Sequence, residues 1–285
     1  MRSDLNIQHI VDIDIAELEP YRTLRERTWH WGSGHFVAES AKVVRAVLDS
    51  SVTIRSMLIT EQWLSENTSI LDTARIGDAP VFVAPEEVLQ RIVGYALHHG
   101  VMAVGTIPEN PSIEVLRGAK EKASLLVALE GIADAENMGM ILRNCAAFGV
   151  DGVLVGRDSC SPWLRRSVRV SVGHMFRLHI RICDDILGDI RLLRGSGKVR
   201  LVGAVPRGGS SQVFQHIQTC DAGDASLCLL FGSEAYGLTS EATALCDVLF
   251  TIPMRQGVDS INVANAVAVA LYAATAAAST LNNEE

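Results

Sequence analysis

The chain has 285 residues, of which 48% are hydrophobic and 20% are charged. This balance excludes a disordered tail and predicts one large or two modest globular domains with real cores. The net charge of −8 at first argues against a nucleic-acid partner, because proteins that bind phosphate are usually basic.

Targeting and metal-binding signals are not found in the sequence. Residues 1–20 lack a basic region followed by an apolar run, so no secretory signal is predicted. Residues 261–281 carry no charge, but they are rich in Ala, Thr and Asn, which favours a buried helix over a membrane span. The six cysteines form no C-x-x-C pair and no Cys/His cluster with metal-ligand spacing. We therefore expect a cytoplasmic protein with reduced thiols, no bound metal and no membrane association.

The N-terminal third of the chain predicts an extension followed by a small domain. Residues 1–32 form a polar extension, which either packs on the following domain or stays irregular until RNA orders it; the sequence leaves both possibilities open. Across residues 33–108 strands and helices alternate, beginning with the strand His35–Glu39 and ending with the strand Val101–Gly105. This alternation predicts a small α/β domain.

A second domain follows a short linker. The segment Pro108–Lys122 contains two prolines and mixed charge, which indicates a linker over residues 109–122. Residues 123–285 then alternate regularly between strands and helices, from the strand Leu125–Glu130 to the apolar strand Leu227–Phe231. Such spacing predicts a parallel sheet that is covered by helices on both faces.

Positive charge is concentrated in one part of this second domain. Between Arg157 and Arg207 the chain has ten Arg and one Lys against four Asp, a local balance of +7. Such a patch is typical of a surface that binds phosphate, despite the acidic total. A solvated basic face gives the same pattern, so the composition of this segment leaves both interpretations open.

The C-terminal stretch has the features of a ligand pocket. The strand Leu227–Phe231 runs into a glycine-rich turn at residues 232–237, and the strand Val248–Ile252 precedes a long Ala/Val helix. Strand ends that meet glycine-rich turns and uncharged helix starts are where α/β sheets bind small molecules. Neither a G-x-G-x-x-G motif nor a Walker A loop follows Leu125–Glu130, which excludes the ordinary nucleotide-binding motifs.

Three segments of this domain resemble the signature motifs of one enzyme family. In chain order they read DAENMGMILRNCAAFGVDGVLV, FGSEAYGLT and IPMRQGVDSINVANAVAVALY, between residues 134 and 272. They are similar to the three motifs of the SpoU (TrmH-type) RNA 2′-O-ribose methyltransferases, whose Asn-x-Gly-x-x-x-Arg pattern matches Asn137, Gly139 and Arg143. Within residues 33–108, HFVAESAKVVRAVL and HHGVMAV resemble the ribosomal-protein-like RNA-binding domain that many members carry before the catalytic domain.

The resemblance implies a fold, ligands and an assembly. It implies a SPOUT-like α/β domain with a trefoil knot, S-adenosylmethionine as the cofactor, RNA as the substrate and a homodimer. The residues implied at the cofactor are Gly232, Glu234, Gly237, Ile252, Met254 and Ile261. The family's basic segment corresponds to Arg165, Arg166, Arg169 and Arg177, which are expected to bind RNA phosphates.

The resemblance also implies catalytic roles. In the family the arginine at the position of Arg143 activates the ribose hydroxyl. Because an arginine pKa above about 12 makes a poor base, we expect Arg143 instead to bind the adjacent phosphate and to stabilise the developing alkoxide. Asn137, Ser260 and Asn262 are expected to orient it.

Three positions depart from the family pattern. Ser40 stands where members usually have Gly, which affects the geometry of a turn before a helix. Glu136 stands where many have Gly before the motif Asn, and it adds negative charge near the expected phosphate. Ser233 stands where Asn is common, although its hydroxyl still offers a polar group.

The sequence therefore predicts S-adenosylmethionine-dependent 2′-O-methylation of structured RNA, with ribosomal RNA favoured over transfer RNA. The alternatives are a transfer RNA 2′-O-methyltransferase and a catalytically silent, knotted RNA-binding protein, which Glu136 and Ser233 support. A small-molecule methyltransferase is a third possibility, and it predicts that the positive charge of residues 157–207 has no role.

Overall fold

A computed structural model describes residues 5–11, 14–23, 33–68, 71, 73–94, 100–116, 123–195, 199–206 and 226–281. The chain divides into two compact units. Unit 1 is Met1–Glu109 together with Pro162–Phe176, and unit 2 is Asn110–Ser161 together with Arg177–Glu285. The segment Pro162–Phe176 thus groups with the first unit, whereas the sequence analysis placed it within residues 123–285.

Strands and helices alternate along most of the described chain. The strands are β1 (Ile7–His9), β2 (His35–Glu39), β3 (Ile54–Ile59), β4 (Val81–Val83), β5 (Val101–Thr106), β6 (Leu125–Leu129), β7 (Gly152–Gly156), β8 (His179–Cys183), β9 (Val199–Ala204), β10 (Ser226–Phe231) and β11 (Val248–Phe250). The helices are α1 (Glu19–Arg22), α2 (Ala41–Leu48), α3 (Glu61–Asn67), α4 (Thr73–Ile76), α5 (Glu86–Val93), α6 (Ile113–Leu116), α7 (Ala135–Ala147), α8 (Arg165–Val170), α9 (Ile186–Gly195), α10 (Ser240–Leu245) and α11 (Val263–Leu281). Short 3₁₀ turns occur at Ala16–Leu18 and His174–Arg177.

Unit 1 is built on a mixed sheet. In its described residues the strand order is β1-β4-β3-β5-β2, with β1, β4 and β3 parallel and β5 antiparallel to both β3 and β2. The apolar positions of α2 and α5 recur at helical spacing and are buried. Each helix therefore presents one apolar stripe to the core.

The described part of the N-terminal extension packs on unit 1. Ile7–His9 pairs with β4, and the side chains of Leu18 and Tyr21 are fully buried. The Tyr21 hydroxyl shares a 2.8 Å hydrogen bond with Ser56 Oγ, and burial raises the pKa of this phenol. Of the two possibilities left open by the sequence, packing on the following domain is therefore the one observed here.

The segment Pro162–Phe176 packs on β2 through aromatic side chains. The ring centroids of Trp163 and Phe176 lie 5.5 Å and 5.2 Å from that of Phe36. Such tilted ring pairs bury large apolar surfaces. Gly173 lies so close to α2 that a Cβ atom there would be 2.4 Å from the Cβ of Ala46.

The turn before α2 contains Ser40, which stands where glycine is usual in the family that the sequence resembles. Ser40 has φ of +86° and ψ of 148°. Essentially only glycine adopts this region without strain, because it lacks a Cβ atom. The family's glycine is thus replaced by a serine that keeps the glycine conformation.

Unit 2 is built on the predicted parallel sheet. Its described strands run in the order β11-β9-β10-β6-β7-β8, and every neighbouring pair is parallel. All six residues of β10 are buried because the strand lies between β9 and β6 and is covered on both faces. The trefoil knot stays a prediction.

Helices cover the two faces of this sheet. On one face α6 and α9 bury Leu116, Ile190 and Leu193 against the strands, and α11 packs against α7 and β10. Asn144 of α7 donates a 3.0 Å hydrogen bond from Nδ2 to the carbonyl of Ala264 in α11. Within the described ranges, none of the helices combines the length and hydropathy that a membrane span requires.

Candidate functional site

A cleft of about 700 Å³ lies at the carboxyl ends of β9, β10 and β11 in unit 2. This volume falls within the usual range for ligand pockets. Ala204, Phe231 and Phe250, the last residues of these strands, line the cleft. All six residues expected at the cofactor also line it: Gly232, Glu234, Gly237, Ile252, Met254 and Ile261. Their role in binding stays a prediction.

The glycine-rich turn is folded tightly back on itself. A Cβ atom on Gly232 would lie 2.1 Å from the carbonyl carbon of Gly237, so no other residue fits there without moving the backbone. Gly237 has φ of +73°, and its N–H donates to the Ser233 carbonyl at 2.8 Å. Both glycines are therefore required by the local geometry.

Ser233 stabilises the same turn with its side chain. Its Oγ accepts hydrogen bonds from the N–H groups of Ala235 at 3.2 Å and Tyr236 at 3.4 Å. This is how a serine hydroxyl closes a turn locally. The departure from the family pattern at this position thus supplies a turn-forming group.

A chain of amide hydrogen bonds links the three sequence motifs. Asn262 Nδ2 donates to Asn137 Oδ1, and Asn137 Nδ2 donates to Glu234 Oε1, each at 2.8 Å. Glu234 Oε2 also accepts the N–H of Ala133 at 3.3 Å. Because the Asn137 side chain is buried and its amide is used at both ends, its orientation is fixed.

The start of α11 positions Asn262. Its Oδ1 accepts the N–H of Ala264 at 2.8 Å, which makes Asn262 the N-cap of the helix. Ser260, two residues earlier, is exposed and lines the cleft. Three of the four expected catalytic residues, Asn137, Ser260 and Asn262, therefore meet at the cleft.

Arg143, the fourth expected catalytic residue, does not line the cleft. It lies six residues beyond Asn137 on α7, which rotates its side chain to another face of the helix. Its side chain is exposed and makes no ion pair with any residue of the described chain. One copy of the chain therefore leaves this guanidinium away from the ligand site.

The helix α7 begins with two acidic residues. Asp134 is the N-cap and accepts hydrogen bonds from the N–H groups of Glu136 and Asn137 at 2.8 and 2.9 Å. Glu136 is exposed in the first turn, where its charge complements the helix dipole, and it does not line the cleft. This departure from the family pattern thus has a stabilising role at the helix start.

Sequence reasoning missed a buried carboxylate beside the glycine-rich turn. Glu130 accepts hydrogen bonds from the Thr239 N–H at 2.9 Å and the Thr239 hydroxyl at 2.8 Å. The Thr239 hydroxyl in turn accepts the N–H of Ala242 and so caps α10. The signal for Glu130 is a charged residue directly after an apolar strand, at the edge where ligand sites form.

The electrostatics of the cleft are negative. Among its described lining residues Glu234 and Asp259 carry carboxylates, and none is Lys or Arg. Burial, together with the carboxylates of Asp134 and Glu234, raises the pKa of the nearby Cys160 thiol to about 12. Such a site disfavours phosphates and favours a neutral or cationic ligand.

The four arginines expected to bind RNA divide between the two units. Arg165, Arg166 and Arg169 belong to unit 1, and Arg177 belongs to unit 2. Arg165 donates to Glu39 Oε2 at 3.0 Å, and Arg169 lies 3.9 Å from the same oxygen. Their contact with RNA stays a prediction.

Carboxylates pair with several of the arginines counted in the sequence. Burial alone would raise the pKa of Asp189, but hydrogen bonds from the Arg181 guanidinium hold it below its usual value. Lys198 and Arg207 lie outside the described residues. Among the described residues of unit 2, ion pairs join Arg157 to Asp184, Arg181 to Asp189 and Arg194 to Asp247. The local balance of +7 already counts Asp184 and Asp189, so it is Asp247 and Glu39, which folding brings from outside the segment, that make this surface less basic than that count indicates.

Across the described ranges, no group of three His, Cys, Asp or Glu side chains is arranged to hold a metal ion.

Family models match both parts of the chain. The model described as the SpoU rRNA Methylase family matches residues 124–272. A second model, described as RNA 2′-O ribose methyltransferase substrate binding, matches residues 41–111.

Individual proteins are similar over nearly the whole length. A protein of Mycobacterium tuberculosis that is named as an uncharacterized tRNA/rRNA methyltransferase is 35% identical over 95% of this chain and 92% of its own. An AdoMet-bound rRNA methyltransferase from Sinorhizobium meliloti has a TM-score of 0.79 at 23% identity, over 94% of this chain and 97% of its own. The SpoU methyltransferase AviRb from Streptomyces viridochromogenes, in complex with AdoMet, has a TM-score of 0.77 at 22% identity, over 93% and 100%. The two structures show a shared fold.

Proposed function

Because the chain belongs to the SpoU rRNA methylase family, we propose that it methylates a ribose 2′ oxygen in structured RNA, with S-adenosylmethionine as the methyl donor. We favour ribosomal RNA over transfer RNA as the substrate. The match of residues 41–111 to a substrate-binding model supports assigning RNA binding to residues 33–108 and catalysis to residues 123–285. The names of the related proteins include both RNA classes.

The charge of the cleft is the observation that carries this proposal. S-adenosylmethionine has a positive sulfonium group, and the lining supplies the carboxylates of Glu234 and Asp259 without a lysine or arginine among its described residues. Opposite charge favours such a ligand and disfavours nucleoside di- and triphosphates. The tight turn at Gly232 lets the backbone approach a bound adenosine moiety closely.

Different residues of this chain have different roles at the reacting atoms. When bound, S-adenosylmethionine would supply an electrophilic methyl group and leave as S-adenosylhomocysteine, while the 2′ hydroxyl that accepts the methyl group would lose its proton to solvent. Asn137 and Asn262, whose amides are fixed by hydrogen bonds, orient the groups at the cleft. Arg143 binds the neighbouring phosphate and stabilises negative charge on the 2′ oxygen, an effect worth about 100- to 1,000-fold in rate.

A homodimer completes the proposed site. Arg143 lies outside the cleft of its own copy, so it reaches a ribose there only if a second copy supplies it. The exposed apolar side chains of Val269 and Tyr272 on α11 give a surface for such an association. We also propose the trefoil knot for unit 2.

The test is methyl transfer from labelled S-adenosylmethionine to total RNA from cells that lack the protein. We expect label in alkali-resistant dinucleotides, because a methylated 2′ oxygen cannot attack the adjacent phosphate. Arg143→Ala should abolish labelling while leaving cofactor affinity unchanged. Arg143→Lys should restore only part of it, because lysine keeps the charge but loses the bidentate geometry.

Two results would contradict the proposal. Cofactor binding without label in any RNA would favour the silent RNA-binding alternative. Label on a small molecule, with activity that does not fall as salt is raised, would favour the small-molecule methyltransferase, because RNA binding weakens steeply with salt.

A further inference from the structure

An exposed tyrosine stands at the rim of the cleft. Tyr236 lies in the turn between Gly232 and Gly237, lines the cleft and is 93% exposed. The other aromatic rings near this site are internal, as Phe231 and Phe250 pack edge to face with centroids 6.3 Å apart. An aromatic ring that stays in water does not gain the free energy that burial would contribute. The Tyr236 ring at this rim is therefore available to bury its surface against a ligand.

Backbone hydrogen bonds order the turn that carries this ring. The Ser233 hydroxyl accepts the N–H of Tyr236, and the Ser233 carbonyl accepts the N–H of Gly237. Gly232 packs directly under the Gly237–Leu238 peptide. Because the turn is already ordered, a ligand that contacts the ring binds without the unfavourable free energy of ordering this loop.

The charges around the cleft limit how RNA is held there. The described lining has no Arg or Lys, and Arg157, Arg181 and Arg194 of unit 2 are each paired with an aspartate. The described lining of one copy therefore offers no cationic side chain to phosphate, and the proposed phosphate contact at this cleft comes from Arg143 of a second copy. Stacking of a base on an aromatic ring needs no positive charge and is the usual way in which proteins hold unpaired bases.

We propose that Tyr236 stacks against an unpaired base of the RNA substrate next to the target ribose, and so positions the 2′ oxygen at the cleft. The inference rests on the proposed function and makes Tyr236 a positioning residue. It predicts that the target nucleotide lies in a loop, bulge or single strand, because a base within a helix is already stacked on its neighbours.

The experiment compares Tyr236→Ala, Tyr236→Phe and Tyr236→Trp in the full chain, with total RNA as the probe and labelled S-adenosylmethionine as the donor. Tyr236→Ala should raise the RNA concentration needed for half-maximal rate about tenfold or more, the loss expected for one stacked base. Phe and Trp should keep near-normal values, since both retain the ring. The salt dependence of the Ala variant should equal that of the wild type, because no phosphate contact is lost.

A matched control is Leu192→Ala, which removes another exposed apolar side chain of unit 2 that does not line the cleft. It should leave unchanged both the RNA concentration needed for half-maximal rate and the affinity for S-adenosylmethionine. An effect of Tyr236→Ala below twofold would overturn the proposal, and an equal loss of cofactor affinity would assign Tyr236 to the cofactor instead. Absence of methyl transfer by the wild type would refute the proposed function itself and remove this inference with it.

Discussion

At the scale of single residues, Asn262 combines two separable roles. Its Oδ1 caps α11, and its Nδ2 orients Asn137. Asn262→Asp keeps an oxygen for the cap but loses the donor, so we expect stability close to wild type and a large loss of methyl transfer. Asn262→Ala removes both and should also cost about 1 kcal/mol in the free energy of unfolding. Urea denaturation and methyl-transfer rates of the two variants measure the difference; equal stability of the pair would show that the cap contributes nothing.

Ser40 gives a second prediction at this scale. The side chain occupies a backbone conformation, at φ of +86°, that glycine adopts without strain. Ser40→Gly should therefore raise the free energy of unfolding by about 1 kcal/mol, after the entropy cost of glycine is allowed for. The control is Ser51→Gly, an exposed position in unit 1 with an ordinary φ, where no gain is expected. A higher urea midpoint for both variants would rule out relief of strain at Ser40.

At the scale of elements, the glycine-rich turn fixes the shape of the cleft. Gly232→Ala forces a Cβ atom into the Gly237–Leu238 peptide, which should cost about 3 kcal/mol and weaken cofactor binding sharply. Gly195→Ala is the matched control, since a Cβ atom there meets nothing within 4 Å and the position ends α9. Thermal unfolding and calorimetric titration with S-adenosylmethionine measure both effects. A stable Gly232→Ala variant with normal affinity would show that the turn opens freely.

The sequence predicted these elements well where local patterns decide them. The strand His35–Glu39 and the strand ends around Gly232 follow from alternation and glycine placement, and the parallel sheet of unit 2 is confirmed. The motif-bearing Asn137 and Asn262 meet although they are distant in the chain. The pairing of Arg165 with Glu39 could not be predicted, because charge counting along a segment takes no account of carboxylates that folding brings from elsewhere.

At the scale of the whole molecule, unit 1 is discontinuous in sequence. Phe36 stacks on Trp163 and Phe176, which lie beyond the first stretch of unit 2. A fragment of residues 1–109 should therefore expose this apolar surface, bind a hydrophobic dye and unfold at lower urea concentration than unit 1 does in the full chain. Appending residues 162–176 through a flexible linker should restore much of the loss. A fragment 1–109 that is as stable as the extended one would contradict this view.

Sequence reasoning placed the boundary between domains by composition alone. The linker predicted over residues 109–122 begins where the first stretch of unit 1 ends, at Glu109, whereas no compositional change marks the return of the chain to unit 1 at Pro162. The sequence also left open whether the N-terminal extension packs on the following domain, because β1 has no apolar alternation that would predict a strand. It forms a strand by pairing with β4. In both cases a contact between distant parts of the chain decides the structure.

The discontinuity of unit 1 also bears on the order of events during synthesis. The chain leaves the ribosome from its N-terminus at roughly 5–20 residues per second, and domains generally fold as they emerge. Unit 1 lacks Trp163 and Phe176 until the first stretch of unit 2, Asn110–Ser161, has been made, so its aromatic cluster stays incomplete for several seconds. The nascent chain is therefore exposed to misassociation for longer than a domain of this size would be if its sequence were continuous.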